Sequence, residues 1–160
     1  MGLIGKYIWL FSARSQIDPV FYDNGDEHTA STGGWFAAHG TITRNRTNIF
    51  TKASSNTVAN SGALQTTNGF NLAGYTSLKF IITATGSYES RVGLVTTAGG
   101  YLDADFATNG SKNYYYNASN IGSNKTITID ISDLPAGTYY PTIRTRATAA
   151  GIYLYKCWVE

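Results

Sequence analysis

The sequence holds one cysteine, Cys157, which excludes an internal disulfide framework. Core packing alone must hold the fold. Cys157 lies in the last apolar run, so a buried thiol is expected. Charge is also scarce: 14% of residues are Asp, Glu, Lys or Arg, against about a quarter in an ordinary soluble chain. The surface must then be made of Thr, Ser, Asn, Gly and Tyr. A net charge of +2 is too small to recruit nucleic acid or an anionic membrane. Long hydrophobic runs are missing. The densest early one, Tyr7-Ile8-Trp9-Leu10-Phe11, is too short for a signal-peptide core or a membrane span, so neither is expected, and no membrane insertion. Glu, Lys and Leu are too few to build many surface helices. No Pro- or Ser-rich linker and no repeat of 20–50 residues divides the 160-residue chain.

What is abundant points to strands. The chain has 12 Tyr, 7 Phe and 3 Trp, with many Thr, and these side chains suit a pleated, half-buried surface. Residues 17–22 read as a strand entering the turn Asp23-Asn24-Gly25-Asp26-Glu27, where Asn-Gly accepts positive φ. Residues 41–50 alternate weakly. Residues 78–84 carry the firmest strand signal, with Leu78, Phe80 and Ile82 on one face. Ile127, Ile129 and Ile131 share a face in the same way. In residues 139–146, Tyr139, Pro141, Ile143 and Thr145 lie opposite Tyr140, Thr142, Arg144 and Arg146. Residues 152–159 close the chain. Eight to ten strands with turns at this spacing predict an all-β fold, an antiparallel two-sheet β-sandwich or a barrel. Residues 1–16 form an apolar N-terminal segment suited to packing or an oligomer contact, ahead of a sandwich domain over 17–160.

Catalytic signatures are missing. There is no Gly-x-Ser-x-Gly elbow, phosphate loop, dinucleotide fingerprint or zinc spacing, and no nucleophile is marked beside His28 or His39. Asp103 and Asp105 share a face if extended, which leaves a polysaccharide hydrolase as one alternative. Binding chemistry is better represented. Aromatic faces stack on the apolar side of sugar rings, while phenol, carboxylate and guanidinium groups fix hydroxyls. The candidates are Tyr101, Asp103, Tyr114, Tyr116, Arg91, Arg144 and Arg146. Trp35 and Trp158 are expected in the core. Asp23, Asp26 and Glu27 crowd oxygens into one turn, and calcium is coordinated by such oxygens; a plain solvated turn is the other reading.

Three segments carry a resemblance. Tyr22-Asp23-Asn24-Gly25-Asp26-Glu27 precedes Thr32-Gly33-Gly34-Trp35. Phe70-Asn71-Leu72-Ala73-Gly74-Tyr75-Thr76-Ser77-Leu78-Lys79-Phe80 follows, with Asn71 where the pattern has Asp. Ile127-Thr128-Ile129-Asp130-Ile131-Ser132 leads through Gly137-Thr138-Tyr139-Tyr140 to Gly151-Ile152-Tyr153-Leu154-Tyr155. This order, over residues 22–160, resembles β-sandwich domains of phage and prophage tail, fibre or receptor-binding proteins. More broadly it is similar to jelly-roll carbohydrate-binding modules. The resemblance implies a jelly-roll sandwich, no enzymatic activity, and a virion-borne or extracellular location. It also implies a glycan or cell-surface receptor as partner, and a structural calcium near the 23–27 loop, with Glu160 as a further ligand. An alternative of another class is a structural tail, fibre or decoration protein acting through homo-oligomerisation, as a trimer.

Overall fold

The computed structural model describes residues 19–54, 62–86, 88, 90–100, 115–118 and 121–160. Its strands run in chain order as Val20–Asp23 (β1), Trp35–His39 (β2), Thr41–Arg44 (β3), Ile49–Lys52 (β4), Gly62–Thr66 (β5) and Ser77–Thr85 (β6). Then come Ser90–Val95 (β7), Tyr115–Ala118 (β8), Lys125–Asp130 (β9), Tyr140–Thr145 (β10) and Gly151–Val159 (β11). A single helical turn, Thr29–Thr32 (α1), sits between β1 and β2. One sheet has the order β3-β4-β11-β6-β9, with β1 also on β11; the other is β2-β5-β10-β7-β8. Every strand pairing in both sheets is antiparallel. The architecture is an all-β two-sheet sandwich, as the composition predicted. The apolar segment 1–16 lies outside the described residues.

Alternation decides which side of each strand enters the core. In β6, Leu78, Phe80, Ile82 and Ala84 are buried, and Lys79, Ile81 and Thr83 between them are half-buried on the other face. In β9, Ile127 and Ile129 are buried between exposed neighbours. Val92, Leu94, Ile143 and Leu64 bring the facing layer from the five-stranded sheet. Trp35 plugs the core as expected, its indole N–H donating to the Phe21 carbonyl at 2.9 Å. The edge of the Trp35 ring meets Tyr22, with centroids 6.4 Å apart.

The turn after β1 follows its sequence chemistry. Asn24 and Gly25 take φ of 47° and 104°, and Asp23 and Asp26 exchange two backbone hydrogen bonds of 2.9 Å. That is the two-residue hairpin geometry Asn-Gly favours. A Cβ on Gly25 would stand 2.3 Å from the Arg46 carbonyl oxygen, so close approach as well as positive φ requires glycine.

The weak alternation over residues 41–50 is the hairpin β3–β4, closed where Asn45 N donates to Asn48 O. Two expectations are corrected. Trp158 is not in the core but half-buried on the outer face of β11. The cause is a bulge: the β11–β6 register slips between Leu154 and Lys156. Up to Leu154 the even positions face inward; after the extra residue the odd ones do, so Cys157 and Val159 are buried. Uninterrupted alternation would have put Lys156 and Trp158 inside. The second correction concerns Arg144, predicted to lie on a solvent or binding face. It is 2% exposed.

Candidate functional site

The structure brings part of the predicted cluster together. Arg91 on β7 and Arg144 on β10 are direct cross-strand partners. Ile143 and Val92 beside them belong to the core, so both arginines lie on the side of the five-stranded sheet away from it. They are nonetheless 6% and 2% exposed. Gln65 and Thr142 on the same face are fully buried and hydrogen-bonded to each other at 2.9 Å. The loop after β7 is tied there too: Gly99 N donates to Gln65 Oε1 at 2.8 Å, and Gln65 Nε2 donates to Gly100 O at 3.0 Å. These four polar side chains of the face are nearly inaccessible. Tyr116 is exposed but pairs in register with Val92, so it does not share a face with Arg91 and Arg144. Arg146 is exposed just beyond the end of β10. Tyr101, Asp103 and Tyr114, with Asp105, lie outside the described residues.

The carboxylates of the 23–27 turn have separate protein partners. Asp23 Oδ2 accepts from Lys156 Nζ at 3.0 Å. Asp26 Oδ1 accepts the His28 backbone N–H at 2.7 Å. Glu27 takes the Trp35 N–H at 2.9 Å and the Arg44 guanidinium, and Arg44 also donates to the Trp35 carbonyl at 2.6 Å. Glu27 therefore fastens the β1–β2 loop to β2 and β3. Among the described residues no group of three or more His, Cys, Asp or Glu side chains is placed to hold a metal ion. The Asx bonding of the turn serves its backbone.

An open hollow of about 420 Å³ beside α1 is bounded by Asp26, His28, Thr29, Ala30 and Ser31. His28 Nε2 stands 3.9 Å from Asp26 Oδ2. The nearby Ser31 hydroxyl donates to the His28 backbone carbonyl at 3.0 Å rather than to the imidazole. A histidine and carboxylate are thus adjacent, but the hydroxyl is turned to the backbone and no activated nucleophile results.

The arrangement that sequence reasoning missed is on the outer face of the six-stranded sheet. Phe50 on β4 and Tyr153 on β11 are register partners whose ring centroids lie 4.5 Å apart. Gly151 makes room for them, since a Cβ there would stand 2.4 Å from Phe50 Cε2. Further along β11 comes Trp158, opposite Lys79. The ammonium groups of Lys79 and Lys156 lie 5.9 and 5.4 Å from the indole centroid. Trp158 Nε1 donates to Glu160 Oε1 at 2.7 Å, and Lys79 Nζ donates to Glu160 Oε2 at 2.5 Å. Lys79 and the Trp158 N–H hold the Glu160 carboxyl below its usual range. The register partners of Tyr153 and Trp158 on β6, Thr83 and Lys79, are four residues apart, which spaces the two rings by about 13 Å at about 3.3 Å per residue. Half-buried aromatic rings with polar groups beside them offer both stacking and hydrogen bonding. The signal for this face was present in the sequence as the outward partners of the β6 and β11 core residues, but the bulge hid its second half.

No family model and no curated relative matches the sequence. Similar solved structures are family 29 carbohydrate-binding modules. One, complexed with cellulohexaose, has a TM-score of 0.59 at 11% identity, over 88% of this chain and 88% of that one. A second, complexed with mannohexaose, has a TM-score of 0.57 at 12% identity, with 88% of each chain covered. A third family 29 module has a TM-score of 0.56 at 11% identity, over 88% of this chain and 85% of that one. The likeness is one of fold: a two-sheet β-sandwich over 88% of the chain.

Proposed function

We propose that the chain is a non-catalytic glycan-binding module whose binding face is the aromatic row Phe50, Tyr153 and Trp158. The observation that carries this reading is that row itself, on the solvent side of a sandwich shaped like family 29 modules. Tyr153 and Trp158 spaced along β11, with Phe50 beside Tyr153 on β4, suit an extended polysaccharide chain laid along the strand, not a single terminal sugar. A sheet-borne face is rigid and largely preformed, which lowers the ordering cost of binding. The charge-poor, Thr- and Asn-rich surface and the resemblance to phage tail and receptor-binding domains support a place on a virion or outside the cell. There the ligand is a cell-surface glycan.

The test is calorimetric titration with cellohexaose and mannohexaose. The expected result is binding to at least one, with Tyr153→Ala and Trp158→Ala each weakening it by about tenfold or more, the scale of a lost stacking contact. Thermal unfolding of each variant checks that the fold survives. Absence of binding across a broad glycan panel overturns the reading. Cleavage of either oligosaccharide favours the hydrolase instead. A symmetric oligomer that buries Phe50 and Tyr153 favours the assembly protein.

A further inference from the structure

The Trp158 end of the row is already occupied by a carboxylate, and that carboxylate belongs to the chain. Glu160 Oε2 accepts from the Lys79 ammonium at 2.5 Å while Oε1 accepts from the Trp158 indole N–H at 2.7 Å. One carboxylate thus bridges a cation and a neutral donor at the edge of an aromatic ring. Both are charge-assisted hydrogen bonds, the stronger kind. A second ammonium, Lys156, stands 5.4 Å from the same ring.

Two features make the arrangement exchangeable. The Glu160 backbone is fixed, since its carbonyl accepts from Thr76 N at 2.6 Å and Ser77 N at 3.0 Å, and its N–H donates to Ser77 O. The side chain is 46% exposed, so it can leave by rotating about its own bonds without disturbing β11. Lys79 is only 23% exposed and held against the sheet, so the cation stays when the carboxylate departs.

Resting on the glycan reading, we propose that this end of the face recognises the carboxylate of a uronic acid residue in an acidic polysaccharide, which displaces the Glu160 side chain from Lys79 and Trp158. Glu160 is then an internal competitor. It satisfies the two donors in the empty protein and imposes a cost that a neutral sugar does not recover. A uronate recovers it by replacing one carboxylate with another while its ring stacks beside Trp158. Lys156 supplies further attraction but is shared with Asp23, 3.0 Å away. Lys52, exposed on the outer face of the same sheet, extends the positive field toward Phe50.

The experiment compares mannohexaose with the β-1,4-linked hexamer of mannuronate. This pair differs at the exocyclic carbon, a hydroxymethyl against a carboxylate. Affinities are measured by calorimetry at low salt for the wild type, Glu160→Gln and Lys79→Met, with thermal unfolding confirming each fold. Removing the competitor should tighten the uronate by about tenfold in Glu160→Gln, the worth of one charged hydrogen bond. In Lys79→Met the ratio of uronate to neutral affinity should fall by a similar factor. Mannohexaose binding with no uronate preference in any variant overturns this proposal and leaves the glycan reading standing. An unchanged uronate affinity in Glu160→Gln likewise overturns it. If neither hexamer binds any variant, this proposal fails, while the glycan reading stands or falls with cellohexaose and the broad panel.

Discussion

At the residue scale, burial sets the chemistry of single groups. Tyr22 is 1% exposed, and burial pushes its phenol up to about 12; the Glu27 carboxylate adds to the rise, while a Gly25 backbone contact and Arg44 oppose it. An unfolded phenol ionises near 10. Between pH 10 and 12 the unfolded chain therefore releases a proton that the folded chain keeps. The contribution is fully present below pH 10 and lost as pH rises to 12. Calorimetric unfolding should show the melting midpoint of the wild type falling more steeply over that window than that of Tyr22→Phe; equal slopes would contradict the assignment. Cys157 is fully buried, and burial pushes its thiol well above the ordinary range. Reaction with a thiol reagent should be confined to denatured protein, as absorbance kinetics with and without denaturant would show. Glu27 holds three donors from β2 and β3, so Glu27→Gln should cost about 1–3 kcal/mol in a denaturant titration.

At the scale of elements, β11 organises the molecule. One edge pairs with β6 along its length; the other pairs first with β4 and then with β1. The bulge falls at that handover, where Asn24 N donates to Tyr155 O at 2.8 Å. It turns Trp158 outward and so creates the far end of the aromatic row. Gly151 creates the near end. Gly151→Ala should displace the Phe50 ring and cost about 1–3 kcal/mol of stability, the range for overpacking, read from the denaturation midpoint. Most strands were legible because simple alternation set them: Leu78, Phe80 and Ile82, or Ile127 and Ile129, needed no tertiary information. The Asn24-Gly25 turn was legible because its residues demand positive φ. Trp158 was not, because nothing local announces where a bulge falls. Arg144 was not, because whether a second layer covers a sheet face depends on loops, and the Gln65 contacts to Gly99 and Gly100 are 34 and 35 residues distant in sequence.

At the scale of the whole molecule, the two sheets have different outer surfaces. The five-stranded sheet turns a buried polar layer outward, with Gln65, Thr142, Arg91 and Arg144 nearly inaccessible. The six-stranded sheet turns an accessible aromatic row outward, flanked by Lys79 and Lys156. Sequence reasoning chose a sugar-binding chemistry of aromatic rings and cations; of its candidates, Arg91 and Arg144 are nearly inaccessible on the five-stranded sheet, Tyr101, Asp103 and Tyr114 lie outside the described residues, and the proposed face is on the six-stranded sheet. The most direct test is to map backbone amide shifts by nuclear magnetic resonance while titrating a glycan that binds. The account predicts that the largest shifts fall on β4 and β11, around residues 49–52 and 151–160, with little change on β7 and β10. Shifts concentrated at Arg91, Arg144 and Gln65 would contradict it and move the binding face to the other sheet.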